Sequence, residues 1–235
     1  MRSIETVLSP ELLHLYDLKG KIVVVIDVLR ATSSMSYGIA NGAESIIPVA
    51  TVEECLSFKG KENYLLAAER DGEIVEGFNM GNSPYDYTED KVKGKTVVLT
   101  TTNGTKALKK SLDADKIIVS SFLNVAATSQ WLLEQKEDVI LLASGWKGKV
   151  NLEDSLLCGA IYSRVKDHFP THDDSCQAFA RLYDTVKDNL GNVLYISAHY
   201  NRLKSLGIEK DVKFCLQEDI CNVVPIYRDG KLLAF

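Results

Sequence analysis

Runs of consecutive apolar residues recur along the chain, each closing in a polar or glycine-bearing turn, and amphipathic stretches fill the intervals between them. Continuous apolar runs, as opposed to in/out alternation, are what strands buried on both faces require. The pattern therefore predicts an α/β protein: a largely parallel or mixed sheet between helical layers, in a three-layer α/β/α arrangement. Strands are expected at residues 21–26, 46–50, 64–68, 96–100, 116–120 and 139–143. Helices are expected over 33–41, from Thr51, and from near Thr105, Asn124 and Glu153. Thr51 and Glu54 have the spacing of a capping box, in which hydroxyl and carboxylate satisfy the first free N–H groups of a helix. Toward the C-terminus the spacing predicts helices over 175–190 and 193–206. A hairpin should follow over 223–235, turning at Asp229-Gly230.

The plan of strand, polar turn and helix repeats around Asp27, Thr101 and Ser144. Two similar subdomains dividing near 90–115 would give this repetition, and so would the ordinary grammar of an α/β chain. No low-complexity linker forces a boundary, so a single unit spanning 1–235 is expected. Residues 74–95 lack a period and are too long for an ordinary connection, which marks them as a functional loop.

Ligands of open α/β sheets sit beyond the carboxyl ends of the strands, and the unusual polar residues gather at those ends. After the run at 22–26 come Asp27, Arg30, Thr32, Ser33 and Ser34. A carboxylate for a metal beside a permanent cation and N–H donors for an oxyanion is a combination suited to phosphate. The same residues can be read as a strand end, a solvated charge and a helix cap. The second tip, residues 100–105, carries Thr101, Asn103, Gly104 and Thr105; the third carries Ser120, Ser121 and Asn124. At the fourth, Asn151 can cap a helix whose first turn holds Glu153 and Asp154, where the helix dipole favours acids. Asp27, Glu69, Glu153 and Asp154 could converge on a hard divalent cation if these strand ends share one edge. Cys158 and Arg164 have the C-x5-R spacing of thiolate phosphatases, but the residues between them read as an apolar helix interior. No P-loop, dinucleotide turn or nucleophile elbow is present.

Composition narrows the field. Twenty-seven Lys and Arg against thirty-two Asp and Glu give the 235-residue chain a formal charge of −5, so no basic field exists for nucleic acid. No apolar run approaches the ~20 residues of a bilayer span, which argues against a membrane partner. The N-terminal residues lack the basic start and apolar run of a secretory signal. Five widely spaced cysteines form no C-x-x-C pair. Reduced thiols and a cytoplasmic location fit best. His168 and His172 stand four apart, but Pro170 between them weakens any helical zinc pair.

Taken in order, DVLRATSS (27–34), NGA (41–43), AER (68–70), GNSP (81–84), GKTVVLTTTNGTKAL (94–108), SFLN (121–124) and NLEDSLLCGA (151–160) resemble the 2-phosphosulfolactate phosphatase family. The resemblance continues through S-x-H-x-x-x-L at 197–203 and VPIYRDG at 224–230. It implies a magnesium-dependent phosphomonoester hydrolase that acts on a phosphorylated, sulfonated hydroxy acid on the route to coenzyme M. Asp27, Arg30, Thr32, Ser33, Glu69, Arg70, Asn82, Ser83, Thr101, Asn103, Gly104, Thr105, Asn124, Glu153, Asp154 and Cys158 match the family pattern. The ASGWKG turn (143–148), where relatives tend toward a smaller one, and Tyr200, where Gly is usual, depart from it.

Under that resemblance Asp27, with Glu153 or Asp154 and with Glu69 as a further candidate, would hold Mg²⁺. Arg30, Ser33 and the Asn103-Gly104-Thr105 amides would serve as oxyanion donors, and Thr32, Thr101 and Asn124 would line the substrate. Arg70, Asn82 and Ser83 would read a sulfonate or carboxylate. Water is favoured over Cys158 as nucleophile, with both open. The partner expected is a small anion, and a homodimer is compatible.

Overall fold

The computed structural model describes residues 2–70 and 73–235. Among them ten strands build one sheet: β1 (Ile4–Val7), β2 (Ile22–Ile26), β3 (Ser45–Pro48), β4 (Tyr64–Arg70), β5 (Glu73–Ile74), β6 (Thr96–Thr100), β7 (Lys116–Ser120), β8 (Val139–Ala143), β9 (Pro225–Arg228) and β10 (Lys231–Ala234). The helices are α1 (Ala31–Ala40), α2 (Val52–Leu56), α3 (Glu89–Val92), α4 (Gly104–Lys110), α5 (Val125–Leu133), α6 (Leu152–Val165), α7 (Asp174–Val186), α8 (Leu190–Leu194), α9 (Ala198–Ser205) and α10 (Glu209–Cys215). None is long and apolar enough to cross a membrane, among the described residues.

Both faces of the central strands are buried, which is why their sequences do not alternate. Ile22, Val24 and Ile26 of β2 pack into one core with α6 and α7, through residues such as Leu156, Ile161 and Ala180. Val23 and Val25, pointing the other way, join a second core with Met35 and Ile39 of α1 and Leu108 of α4. Strand β8 divides in the same manner. Helices on both faces of a mixed sheet are the expected α/β architecture.

The strand order is β1-β8-β2-β7-β9-β10-β3-β6-β4-β5. β1, β8, β2 and β7 run parallel, and so do β3, β6 and β4. The C-terminal hairpin lies between the two sets and pairs antiparallel with β7 on one side and β3 on the other. Its turn places Asp229 at φ 50° and Gly230 at φ 82°, the two successive positive values that make Asp-Gly a hairpin turn. The final dozen residues thus close the sheet's middle.

Three strands, β6, β7 and β8, span the residues the pattern assigns them; other boundaries move. α1 begins at Ala31, two residues early. The Thr51 hydroxyl accepts from the Glu54 N–H at 3.0 Å, while the Glu54 carboxylate accepts from Ala50 at 2.8 Å. That cap starts a helix of only five residues. The helical stretch expected at 175–190 ends its α-helix at Val186, and the next breaks at Ser197, whose hydroxyl caps α9 by accepting from Tyr200. The loop expected at 74–95 contains the end of β5, a 3-10 turn (Pro84–Asp86) and α3.

Candidate active site

The tips of β2, β4, β6 and β8 open on one cleft of about 300 Å³. Asp27, Leu29 and Arg30 come from the first tip, Glu69 and Arg70 from the second, Thr101, Thr102 and Asn103 from the third, and Trp146 and Lys147 from the fourth; Asn82 and the α9 residues His199, Arg202 and Leu203 complete the wall.

Asp27 is 94% buried at the cleft's floor, since its exposure is 6%. Its carboxylate accepts backbone N–H groups from Ala31 and Gly104, the first residues of α1 and α4. Burial nonetheless pushes its pKa up to about 6; nearby Glu153 pushes the same way, while His199 and the two N–H donors oppose. The close approach depends on glycine. A Cβ at position 104 would stand 2.7 Å from the Ala31 Cβ and 3.0 Å from Asp27 Oδ2. Alanine recovers up to about 1 kcal/mol of helix propensity, while overpacking costs about 1–3 kcal/mol. Gly104→Ala is therefore expected to lower the melting temperature and to impair turnover by displacing Asp27, as thermal melts and steady-state rates would show together.

Behind Asp27 lie two more buried acids with separate tasks. Asp154 Oδ1 accepts from the Val28 N–H at 2.8 Å; its Oδ2 accepts from the Gly145 N–H at 3.0 Å and from Asn151 Nδ2 at 2.9 Å. It staples the β2 tip to the β8 tip, and burial beside Asp27 and Glu153 holds its pKa well above the usual carboxylate value. Glu153 is fully buried in the first turn of α6. Its Oε1 meets His199 Nδ1 at 2.5 Å, and its Oε2 accepts from the Ser197 hydroxyl at 3.2 Å. Ser197, as the α9 cap, sets the register that turns His199 toward Glu153. A carboxylate on Nδ1 holds that edge of the ring, sets the tautomer and leaves Nε2, on the far edge, as the atom available for proton transfer.

The cleft's charge is opposite to the chain's. Arg30, Arg70, Lys147 and Arg202, four cations, line it against the two carboxylates Asp27 and Glu69. Arg30 is buried and doubly held: one guanidinium nitrogen reaches Glu69 at 3.0 Å and another contacts Asp211 of α10. Asn82 is held by its backbone, whose carbonyl accepts from the Ser34 hydroxyl at 2.9 Å. Its side-chain oxygen is buried without a partner. A buried acceptor left unpaired costs about 1–3 kcal/mol, so this oxygen is equipped to meet a ligand.

Of the residues singled out in the sequence, Asp27, Arg30, Glu69, Arg70, Asn82, Thr101 and Asn103 are brought together at the cleft. Others serve as scaffold. The Thr32 hydroxyl accepts from the Asp27 N–H at 3.0 Å, and the Ser33 hydroxyl donates to the Val28 carbonyl at 2.8 Å. The Thr105 N–H and hydroxyl both turn back on Thr101, and the Gly104 amide is engaged by Asp27. The Gly104 and Thr105 amides, two of the expected oxyanion donors, are accordingly engaged within the protein. Ser83 begins the 3-10 turn and does not line the cleft. Asn124 accepts from the Ser121 N–H and donates to the Val223 carbonyl at 2.9 Å, tying down the C-terminal segment. Cys158 is fully buried in the apolar core, where burial raises its thiol pKa well above the ordinary value.

The four carboxylates do not form a common cage. Glu69 is paired with Arg30, Glu153 with His199, and Asp154 with backbone, and no group of three or more His, Cys, Asp or Glu among the described residues is arranged to hold a metal. A more modest cation site fits: Mg²⁺ commonly keeps several waters and takes one or two protein oxygens plus substrate phosphate. Asp27 and the unpartnered Asn82 oxygen are the oxygens of this cleft suited to it.

His199, Trp146, Lys147 and Arg202 are the site residues that the sequence did not single out individually. The S-x-H spacing at 197–199 was the available signal for the histidine. Trp146 lies in the turn that departs from the family pattern.

An α/β enzyme is what this fold and cleft define, with a carboxylate-held histidine beside a buried aspartate. The model of the 2-phosphosulpholactate phosphatase family matches residues 7–230. A protein named probable 2-phosphosulfolactate phosphatase from Thermotoga maritima is 43% identical over 210 residues, covering 89% of this chain and 90% of its own length. Similarly named proteins from Caldanaerobacter subterraneus and Clostridium acetobutylicum are 41% and 39% identical over 219 and 235 residues, spanning 91% and 98% of this chain and 90% and 99% of their own lengths. The chain belongs to the 2-phosphosulfolactate phosphatase family.

Proposed function

We propose that the chain is a phosphomonoesterase that hydrolyses 2-phosphosulfolactate to sulfolactate and inorganic phosphate with the aid of Mg²⁺, as an enzyme of the cytoplasm on a route to coenzyme M. The carrying observation is the reversal of charge at the cleft: a chain of net charge −5 gathers four cations against two acids there. A phosphate, a carboxylate and a sulfonate on one small molecule bring about four negative charges; the surplus cations of the cleft offset part of them and Mg²⁺ would offset more, which a neutral ester would not need. The names and identities of the relatives support the same substrate.

The geometry supports the following roles. Arg70, Lys147 and Arg202 attract and orient the acid groups; Arg30, held by Glu69 and Asp211, is a rigid wall with part of its charge already balanced. The leaving group is a secondary alkoxide, poor unless protonated as it departs. His199, with Nδ1 on Glu153, gives a proton from Nε2 to that oxygen as a water oxygen bonds to phosphorus and the ester P–O bond breaks, the proton of the water staying with the released phosphate. Asp27 in its charged form, with Asn82, would hold Mg²⁺, which supplies charge stabilisation of the phosphoryl oxygens. The neutral, buried Cys158 favours water as nucleophile.

Phosphate release from a panel of hydroxy-acid phosphates, with and without a sulfonate, tests this reading. The sulfonated ester is expected to be hydrolysed with the highest kcat/KM, and chelation by EDTA to stop turnover until Mg²⁺ is restored. Equal rates on an ester without a second acid group would remove the argument from charge.

A further inference from the structure

We propose that Trp146 is a positioning residue for His199, clamping the imidazole plane that Glu153 holds only by its edge. The inference rests on the reading of His199 as proton donor.

A single contact at Nδ1 fixes one point of an imidazole and leaves the ring free to rock about it. In this chain the indole of Trp146 lies against that ring, with centroids 5.4 Å apart and planes 16° from parallel. Edge and face are thus held by different elements: Glu153 from α6 and Trp146 from the turn after β8. Aromatic contacts of this kind contribute about 0.5–1.5 kcal/mol beyond burial, at the upper end enough to favour one ring orientation about tenfold over a displaced one.

The turn that presents Trp146 is fastened at several points. Trp146 and Lys149 exchange both backbone hydrogen bonds, at 2.9 and 3.0 Å. The Gly145 N–H donates to Asp154, and the Gly148 carbonyl accepts from the Ser9 hydroxyl at 3.0 Å. Gly145 has φ 63°, and a Cβ there would stand 2.4 Å from the Lys149 carbonyl oxygen, so no other residue fits the close approach. Lys147 Nζ is 4.8 Å from the indole centroid, a cation–π contact that ties the neighbouring cleft cation to the same ring. A turn serving only as a connection has no need of these restraints. Holding an aromatic plane against the proton-transfer group gives them a purpose.

Trp146→Ala and Trp146→Phe, each assayed on the full chain for kcat, KM and melting temperature, test the proposal. Trp146→Ala is expected to lower kcat about tenfold with KM changed less than threefold, and Trp146→Phe to keep most of the rate because a ring still faces His199. A Trp131→Phe background, remote from the cleft, leaves Trp146 as sole indole reporter; its emission is expected to change on His199→Gln. Full kcat in Trp146→Ala, a loss borne by KM instead, or a Phe variant as slow as the Ala variant would overturn the clamp. If the Ala variant does not fold, the Phe variant and the emission change decide. A fully active His199→Gln would refute the proton-donor reading itself, a result separate from any of these.

Discussion

Asp27→Asn is expected to reduce kcat/KM about a thousandfold and, at pH 7.5, to raise the melting temperature by a few degrees. The two effects share one cause. Burial raises the Asp27 pKa from 3.8 to about 6. Between those values the folded chain retains a proton that the unfolded chain has lost. Stability from this group is therefore full below about pH 4, declines as pH rises toward 6, and stays reduced above it. A shift of about two units corresponds to roughly 3 kcal/mol. Asparagine removes the buried charge and recovers part of that, less whatever is lost where its amide NH₂ faces the Ala31 or Gly104 N–H. Activity runs the other way, because the charged form that serves the ligand prevails above about pH 6. The wild-type rate should consequently fall on the acid side with an apparent pKa near 6 for the ligand-free enzyme. Added Mg²⁺, if held by Asp27 as proposed, would favour the carboxylate and is expected to move that limb lower. Melts from pH 4 to 8 on both proteins, beside their rates, check the prediction; an asparagine variant less stable than wild type throughout would show that Asp27 is a structural anchor.

The fold was legible because the strands are simple. Runs such as Val23-Val24-Val25 must be buried on both faces, and no helix of that length competes with them. β1 escaped notice since Ile4–Val7 is short and contains Glu5 and Thr6. α10 escaped because its seven residues include four charges, and with it went Asp211, the partner of Arg30. The site was legible in part for a related reason. Asp27, Arg30 and Asn103 sit within four residues of strand ends, where position along the chain already fixes position in space. Which of several nearby acids faces the ligand is decided by hydrogen bonds across long separations, such as Val28 to Asp154 and Glu153 to His199. No spacing rule encodes those. Nor does one show that the Gly104 and Thr105 N–H groups, expected to cradle an anion, are engaged by Asp27 and Thr101.

Glu153→Gln and His199→Gln are each expected to lower kcat by about 10²–10⁴-fold, and the double variant to be little worse than either. Glu153 does not line the cleft; it is fully buried, with His199 Nδ1 on one oxygen and Ser197 on the other. Its amide counterpart keeps the shape but offers either an oxygen or an NH₂ to Nδ1. In the second case the ring must turn to its other tautomer, placing a hydrogen where Nε2 should pick one up after turnover. The charge that stabilises the protonated ring is lost in either case. Two residues acting as one unit give non-additive losses, whereas two independent contributions would multiply. The stability readout separates function from architecture. His199→Gln leaves a buried carboxylate with a weaker partner and should melt lower, since breaking a buried pair costs about 3–5 kcal/mol at the extreme. Glu153→Gln removes that carboxylate and should melt nearer to wild type while remaining as slow. A Glu153→Gln protein that is stable and fully active would reduce the pair to a packing contact and leave the cleft without its proton donor.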